Sequence, residues 1–215
     1  MASVVDICNL ALSYLGDEAT LASVDPAEGS AQADHCARFF PIALGYMLEQ
    51  RAWSFATRRV ELADLSGIDL GGWKHVYAHP QDCVRIVSLT LPDDKYYECP
   101  QDFIVEAHPT FEGARIIRTD ADGAVCRYVH DCRGLDSFSQ AFSQACAYFL
   151  AHLLAGAMLS GASGMKVSEE MLKLFQTALV RATEFDAQQS RHAYDSKAHW
   201  TNRYYGGKLG GHCHG

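Results

Sequence analysis

No apolar run in this chain approaches the ~20 residues that a membrane-spanning helix needs. The longest candidate, residues 145–159, is interrupted by His152 and Gly156. The phosphate-cradling GxxxxGK[ST] and GxGxxG loops, the GxSxG nucleophile elbow and the HExxH metal helix are all missing, so the chemistries that need those spacings have no support here. Basic residues are scarce, with 18 Lys and Arg against 26 Asp and Glu and a formal net charge of -8. That balance argues against a protein that coats nucleic acid through its general surface. The eight cysteines are spread out, and none forms a CxxC pair. A structural zinc site needs such tight ligand pairs. The opening segment MASVVDICNLALSYLG has no basic start and no small-residue cleavage site, and reads as a folded helix instead of a signal peptide. Together these absences predict a soluble chain made in a reducing cytoplasm, its thiols buried and reduced, with Cys8 and Cys146 on apolar helix faces.

What is present is enough for a real core. A length of 215 residues suits one domain, or one domain with an insertion. A composition of 48% hydrophobic and 20% charged residues excludes a disordered chain. Residues 3–15 have helical spacing in Val5, Cys8, Leu12 and Leu15, a Ser3–Asp6 capping-box spacing, and Gly16 as the stop. Residues 27–51 predict a longer helix with Phe40, Leu44 and Met47 on one face. Pro41 inside it predicts a kink or a break, because an interior proline costs about 3 kcal/mol. Trp53 and Phe55 read as anchors where the helix gives way to extended chain. Residues 67–133 turn β-like: 84–91, Tyr96–Tyr97, 103–107, 114–119 and 124–131 are short and β-branched or aromatic, with turn signals between them. They predict one small antiparallel sheet of roughly four to six strands. Helix returns over 137–160, capped by Ser137 with Gln140. Residues 160–164 read as a short hairpin loop, and a last helix over 168–190 has Glu169 and Glu170 in its first turn.

Charge reverses at the end. Residues 1–190 carry 14 Lys and Arg against 25 Asp and Glu, whereas 191–215 carry four against one. That last stretch has no aliphatic face beyond Leu209 and cannot build a core, yet it holds several large aromatics. Arg191, Tyr194, Lys197, Trp200, Arg203, Tyr204, Tyr205 and Lys208 therefore read as a docking arm, since Trp, Tyr and Arg are the usual interface anchors.

Chemical motifs are weak by comparison. His212-Cys213-His214 has metal-ligand types but reads as an incidental terminus. Asp120-Ala-Asp122-Gly123 reads as a turn, because a calcium loop would add a bidentate Glu. His79-Pro80-Gln-Asp82-Cys83 reads as a proline turn entering a strand, not a Cys/His catalytic pair. Glu49, or Glu184 with Asp186, are nominal partners for glycoside hydrolysis, though helix-surface carboxylates are common. Arg58 and Arg59 are either solvated strand residues or contacts to an acidic neighbour.

Several segments taken together resemble the tail tubular protein A-like family of podoviral head-to-tail adaptors. ICNLALSYLGDEATLASVD resembles that family's first helix and loop. CARFFPIALGYMLEQRAWSFATRRVELA resembles its most recognisable stretch, YAHPQDCVRIVSL its Tyr-x-x-Pro-x-Asp-Cys-x-Arg segment, and DSFSQAFSQACAYFLAHLLAGAM its Ala-rich third helix. The resemblance spans most of residues 5–190. It implies an α+β fold: a helical bundle of residues 1–66 and 134–190, interrupted by a β-rich insertion at 67–133, with an extended C-terminal arm at 191–215. It also implies a homo-oligomeric ring, a dodecamer, beneath the portal protein of a tailed phage. In that place the ring contacts a downstream tail or nozzle protein, helps retain packaged DNA and lets DNA through its lumen without reading sequence. The expected location is the virion tail, after synthesis in the host cytoplasm, with no cofactor, no membrane partner and no catalytic residue. Ring closure needs two different faces per subunit, for which Tyr14, Tyr46 and Tyr148 are candidates. The alternative from another class is a peptidoglycan-cleaving virion enzyme, and a weaker one is a small metal- or thiol-binding module.

Overall fold

The computed structural model describes residues 2–18, 20–65, 67–68, 70–92, 99–133, 138–159 and 161–189. The fold is α+β, with four helices and six strands among these residues. They form two compact units. One joins the chain up to Thr57 with Val129–Gln189, and the other is Arg58–Tyr128. The crossings thus fall at 57/58 and 128/129, where the sequence reading placed them at 66/67 and 133/134.

In the helical unit, α1 (Val4–Tyr14) starts on a complete capping box. Ser3 Oγ accepts from the Asp6 backbone N–H, and Asp6 accepts from Ser3 N. These bonds hold the Asp6 carboxyl below its ordinary value. The helix ends as its glycine demands. Gly16 takes φ +78°, and the N–H groups of Gly16 and Asp17 return to Ser13 O and Leu12 O, the paired closure of a left-handed helix stop. Asn9 then braces the following loop, its amide bonding both the N–H and the carbonyl of Leu21.

Helix α2 (Ala31–Gln50) is capped by Ser30 and runs through Pro41 without a break. The buried residues Phe40, Ala43 and Leu44 on both sides of the proline hold the turns that its missing N–H weakens. Beyond α2, a 3-10 turn at Ser54–Ala56 follows Trp53. Trp53 is buried, donates from Nε1 to Met47 O at 2.7 Å, and meets Phe142 edge-on with centroids 5.0 Å apart. Phe55 packs on the same ring at 4.9 Å. The anchor reading of both residues therefore holds.

Helix α3 (Gln140–Met158) packs against α1, α2 and α4. At 19 residues it is long and apolar enough to cross a bilayer by length and composition, but its apolar surface lies largely on these three neighbours. Its cap is Ser139, which accepts from Phe142 N, two residues past the predicted Ser137. Helix α4 (Gly161–Ala187) corrects the sequence reading more strongly. The glycine-rich 161–164 stretch is helix and not a hairpin loop, so Glu169 and Glu170 lie outside the first turn. Gly164 is there for a close approach. A Cβ at this position would sit 2.5 Å from the Leu159 carbonyl oxygen.

The other unit holds β2 (His75–Ala78), β3 (Cys83–Thr90), β4 (Phe103–Ala107), β5 (Arg115–Thr119) and most of β1 (Thr57–Glu61) and β6 (Val125–His130), the two strands in which the chain crosses over. They make two three-stranded antiparallel sheets and not the single predicted one, ordered β1-β6-β3 and β2-β5-β4. β2 was not anticipated as a strand, β1 only as extended chain carrying Arg58 and Arg59, and Tyr96–Tyr97 lie outside the described residues. The second sheet has Tyr77 opposite Ile117, and Val105 opposite Ile117 on the other side. Leu62, Tyr77, Leu89, Ile117, Cys126 and Tyr128 belong to one apolar cluster drawing on both sheets.

Candidate functional site

The eight arm residues, Arg191, Tyr194, Lys197, Trp200, Arg203, Tyr204, Tyr205 and Lys208, lie outside the described residues, as does His212-Cys213-His214. The remaining candidates have defined surroundings.

Asp186 is a buried acceptor near the end of α4. Its Oδ1 accepts from the Ser54 N–H at 2.9 Å and the Ser54 hydroxyl at 2.6 Å, and its Oδ2 accepts from Arg51 Nε at 3.2 Å. Three donors on one carboxylate, one of them at the short distance of a charge-assisted O–H···O⁻ bond, tie α4 to the turn that follows α2. Glu184 is exposed and lines an open depression of about 500 Å³ with Gln176, Thr177, Val180 and Arg181. That lining holds no second carboxylate at either spacing that glycoside hydrolysis uses. Glu49 is exposed on α2. Of the three carboxylates, Asp186 is thus engaged by Ser54 and Arg51, while Glu49 and Glu184 stand exposed.

At His79–Cys83, the Cys83 N–H donates to Pro80 O at 3.2 Å and β3 begins at Cys83, which is the proline-turn geometry. Burial pushes the Cys83 thiol up to about 11, the opposite of what an activated thiolate needs. Burial likewise lowers His79, with Arg115 adding to the effect. The acidic turn at 120–123 is structural too. Asp120 accepts from Lys74 N, Gly123 takes φ +61°, and the Tyr77 hydroxyl donates to Ala121 O at 2.9 Å.

Six cysteines, Cys8, Cys36, Cys83, Cys126, Cys132 and Cys146, are free and buried, as the sequence reading expected. The neighbouring Cys36 thiol and burial push Cys8 up, and burial pushes Cys126 and Cys146 to about 12. The hydrogen bond with Cys8 instead lowers the Cys36 thiol. Cys99 departs from that expectation and is disulfide-bonded. Among the described residues no group of three or more His, Cys, Asp or Glu is placed to hold a metal ion.

Two proposed interface tyrosines are committed inside the helical unit. Tyr14 and Tyr148 stack at 4.4 Å and 11°, and desolvation with the Tyr148 hydroxyl raises Tyr14 to about 12. Tyr46 stacks on Phe149 at 4.4 Å yet remains 41% exposed. The most exposed large apolar residues of the four helices are others: Ile42 at 55% on α2, and Met165, Val180 and Phe185 at 68%, 55% and 45% on α4. Met165 lies in the first turns of α4, which the sequence reading left out of the helix.

The open choice for the arginines divides between them. Arg58 pairs with Asp82 at 3.1 Å, and Asp82 also accepts from the Tyr128 hydroxyl. Arg59 is held below its ordinary value by desolvation and by Arg127. Two features escaped the sequence reading altogether. His152 and Ser168 clip α3 to α4: the ring Nδ1 lies 2.8 Å from Ser168 Oγ, which also donates to His152 O. At the β4–β5 turn, His108 Nδ1 accepts from the N–H groups of Thr110 and Phe111, holding a phenyl ring that is 65% exposed.

No protein-family model matches this chain, and comparison with curated proteins found no match.

Proposed function

We propose that this chain is a structural, non-enzymatic adaptor of a tailed-phage particle, joining capsid to tail beneath the portal and forming part of the DNA conduit. One observation carries the reading. The helical unit is assembled from two separated stretches of chain, and a β unit is inserted between them. This is the arrangement implied by the resemblance to podoviral head-to-tail adaptors. In this reading α1–α4 are the bundle, residues 191–215 are the extended arm that docks on portal, and a nozzle protein binds below. The ring is a dodecamer, and its heterologous contact draws on the most exposed apolar residues of the helices, Ile42, Met165, Val180 and Phe185. An acidic body suits a conduit, since phosphate is repelled and not gripped by its general surface. The particle tail is its working location, after synthesis in the host cytoplasm.

The arm is tested by truncation before Arg191. The shortened chain is expected to keep the helical circular dichroism of the full chain and to lose portal binding in co-sedimentation. Normal assembly of the truncated chain on portals would overturn the arm's role.

A further inference from the structure

Phe111, on the turn between β4 and β5, is after Met165 the most exposed large apolar side chain among the described residues. Its position is nevertheless fixed. The His108 N–H donates to Ala114 O at 2.9 Å, and the Ala114 N–H to Phe111 O at 3.3 Å. His108 Nδ1 accepts from the N–H groups of Thr110 and Phe111 at 3.1 Å each, and the imidazole and phenyl centroids lie 4.7 Å apart. Gly113 takes φ +78°, which turns the chain back into β5. A braced ring gives up little freedom on binding, and lost freedom is a main cost of association. Aromatic side chains seated in pockets are the usual anchors of an interface.

A counterpart lies on α4, where Gln176, Thr177, Val180, Arg181 and Glu184 line the open depression of about 500 Å³. Val180 gives it an apolar side, and a guanidinium such as that of Arg181 stacks on an aromatic face. The charges beside the two features are opposite and evenly matched. Glu112 follows the ring and Arg115 comes three residues later, whereas Arg181 and Glu184 are three residues apart in the reverse order of sign. All four are exposed, and none is in an ion pair among the described residues. Arg115 gives one N–H to Cys83 O at 3.4 Å. We propose that Phe111 of one copy docks in the α4 depression of a second copy, its ring against Val180 and Arg181, with Glu112 facing Arg181 and Arg115 facing Glu184. Knob and depression are different surfaces of one chain, so the contact is heterologous and passes from copy to copy, as a closed ring requires. Such a contact, which rests on the ring proposed above, joins each subunit to the next through these two surfaces.

The test places the photo-reactive analogue benzoylphenylalanine at position 111 of the full chain and mixes it with ¹⁵N-labelled wild type, both free at high concentration and on portal. Irradiation is expected to join position 111 to residues 176–184 of the labelled copy. Phe111→Ala and Glu112→Arg should each raise the concentration at which copies associate, read by native mass measurement, by about tenfold or more, through loss of an anchor or reversal of a charge pair. E112R/R181E should regain most of that loss, and Lys166→Gln, on α4 outside the depression, should associate as wild type does. Rings that form equally well with Phe111→Ala and with Glu112→Arg would overturn the contact and leave the ring standing. A cross-link from position 111 to portal, or to a part of this chain other than α4, would overturn it as well. Cross-linking to α4 with no ring on portal would keep the contact and overturn the adaptor reading, and no association in either setting would overturn both.

Discussion

Replacing Asp186 should unfold the helical unit more readily than any other single carboxylate change in it. The side chain is 9% exposed and accepts three hydrogen bonds, two from Ser54 and one from Arg51. Asp186→Ala leaves the Ser54 N–H and hydroxyl without their acceptor, at about 1–3 kcal/mol for each buried group. Arg51 is 35% exposed and can turn to water, so its own loss is small. The sum is about 3 kcal/mol, which for a chain of this size lowers the melting temperature by about 6–12 °C. Asp186→Asn keeps an acceptor oxygen for Ser54 and removes only the charge facing Arg51, so about 1 kcal/mol is expected. The assay is thermal melting followed by circular dichroism at 222 nm, where the helices dominate. A loss under ~1 kcal/mol for Asp186→Ala, or equal losses for Ala and Asn, would refute the reasoning. So would a variant of full stability that had lost an enzymatic activity, since Asp186 would then be a catalytic and not a structural acid.

The other predictions concern packing, pH and docking. Gly164→Ala places a Cβ against the Leu159 carbonyl, which is backbone and cannot swing away. The clash should outweigh the ~1 kcal/mol helix-propensity gain and leave a net loss of about 1–2 kcal/mol in the same melts; a stabilised variant would contradict the close approach. Burial raises the Cys146 thiol from 9.0 to about 12, so its contribution is intact below pH 9 and is lost as pH rises toward 12. At pH 10.5 the loss is about 2 kcal/mol relative to pH 8, and urea titrations at the two pH values should show it shrink in Cys146→Ala. Removal of residues 191–215 should abolish portal binding without unfolding the body.

Local signals were legible where one residue type has one physical use. Ser3 and Asp6 could be read as a cap, Gly16 as a stop, and Trp53 and Phe55 as anchors, and each does that in the structure. The strands at 84–91, 103–107, 114–119 and 124–131 followed from β-branched runs between turns. Other features depended on tertiary context. Whether Gly161–Gly164 is loop or helix turns on the close contact with Leu159, which no local pattern encodes. Pro41 was read as a kink or a break because propensity speaks of an isolated helix, whereas buried neighbours keep this one continuous. Two sheets were read as one because strand periodicity carries no information on partners, and Arg58 and Arg59 could not be separated until Asp82 and Arg127 were placed beside them. The candidate carboxylates look alike in sequence. Only burial and three donors distinguish Asp186 from exposed Glu49 and Glu184.

The adaptor reading stands or falls on assembly. Native mass measurement of the protein alone, of portal alone and of the two mixed is the most direct test. The account predicts a new species in the mixture, with a full ring of this chain added to each portal. A mixture that shows only the masses of its separate components, at concentrations well above micromolar, would contradict it.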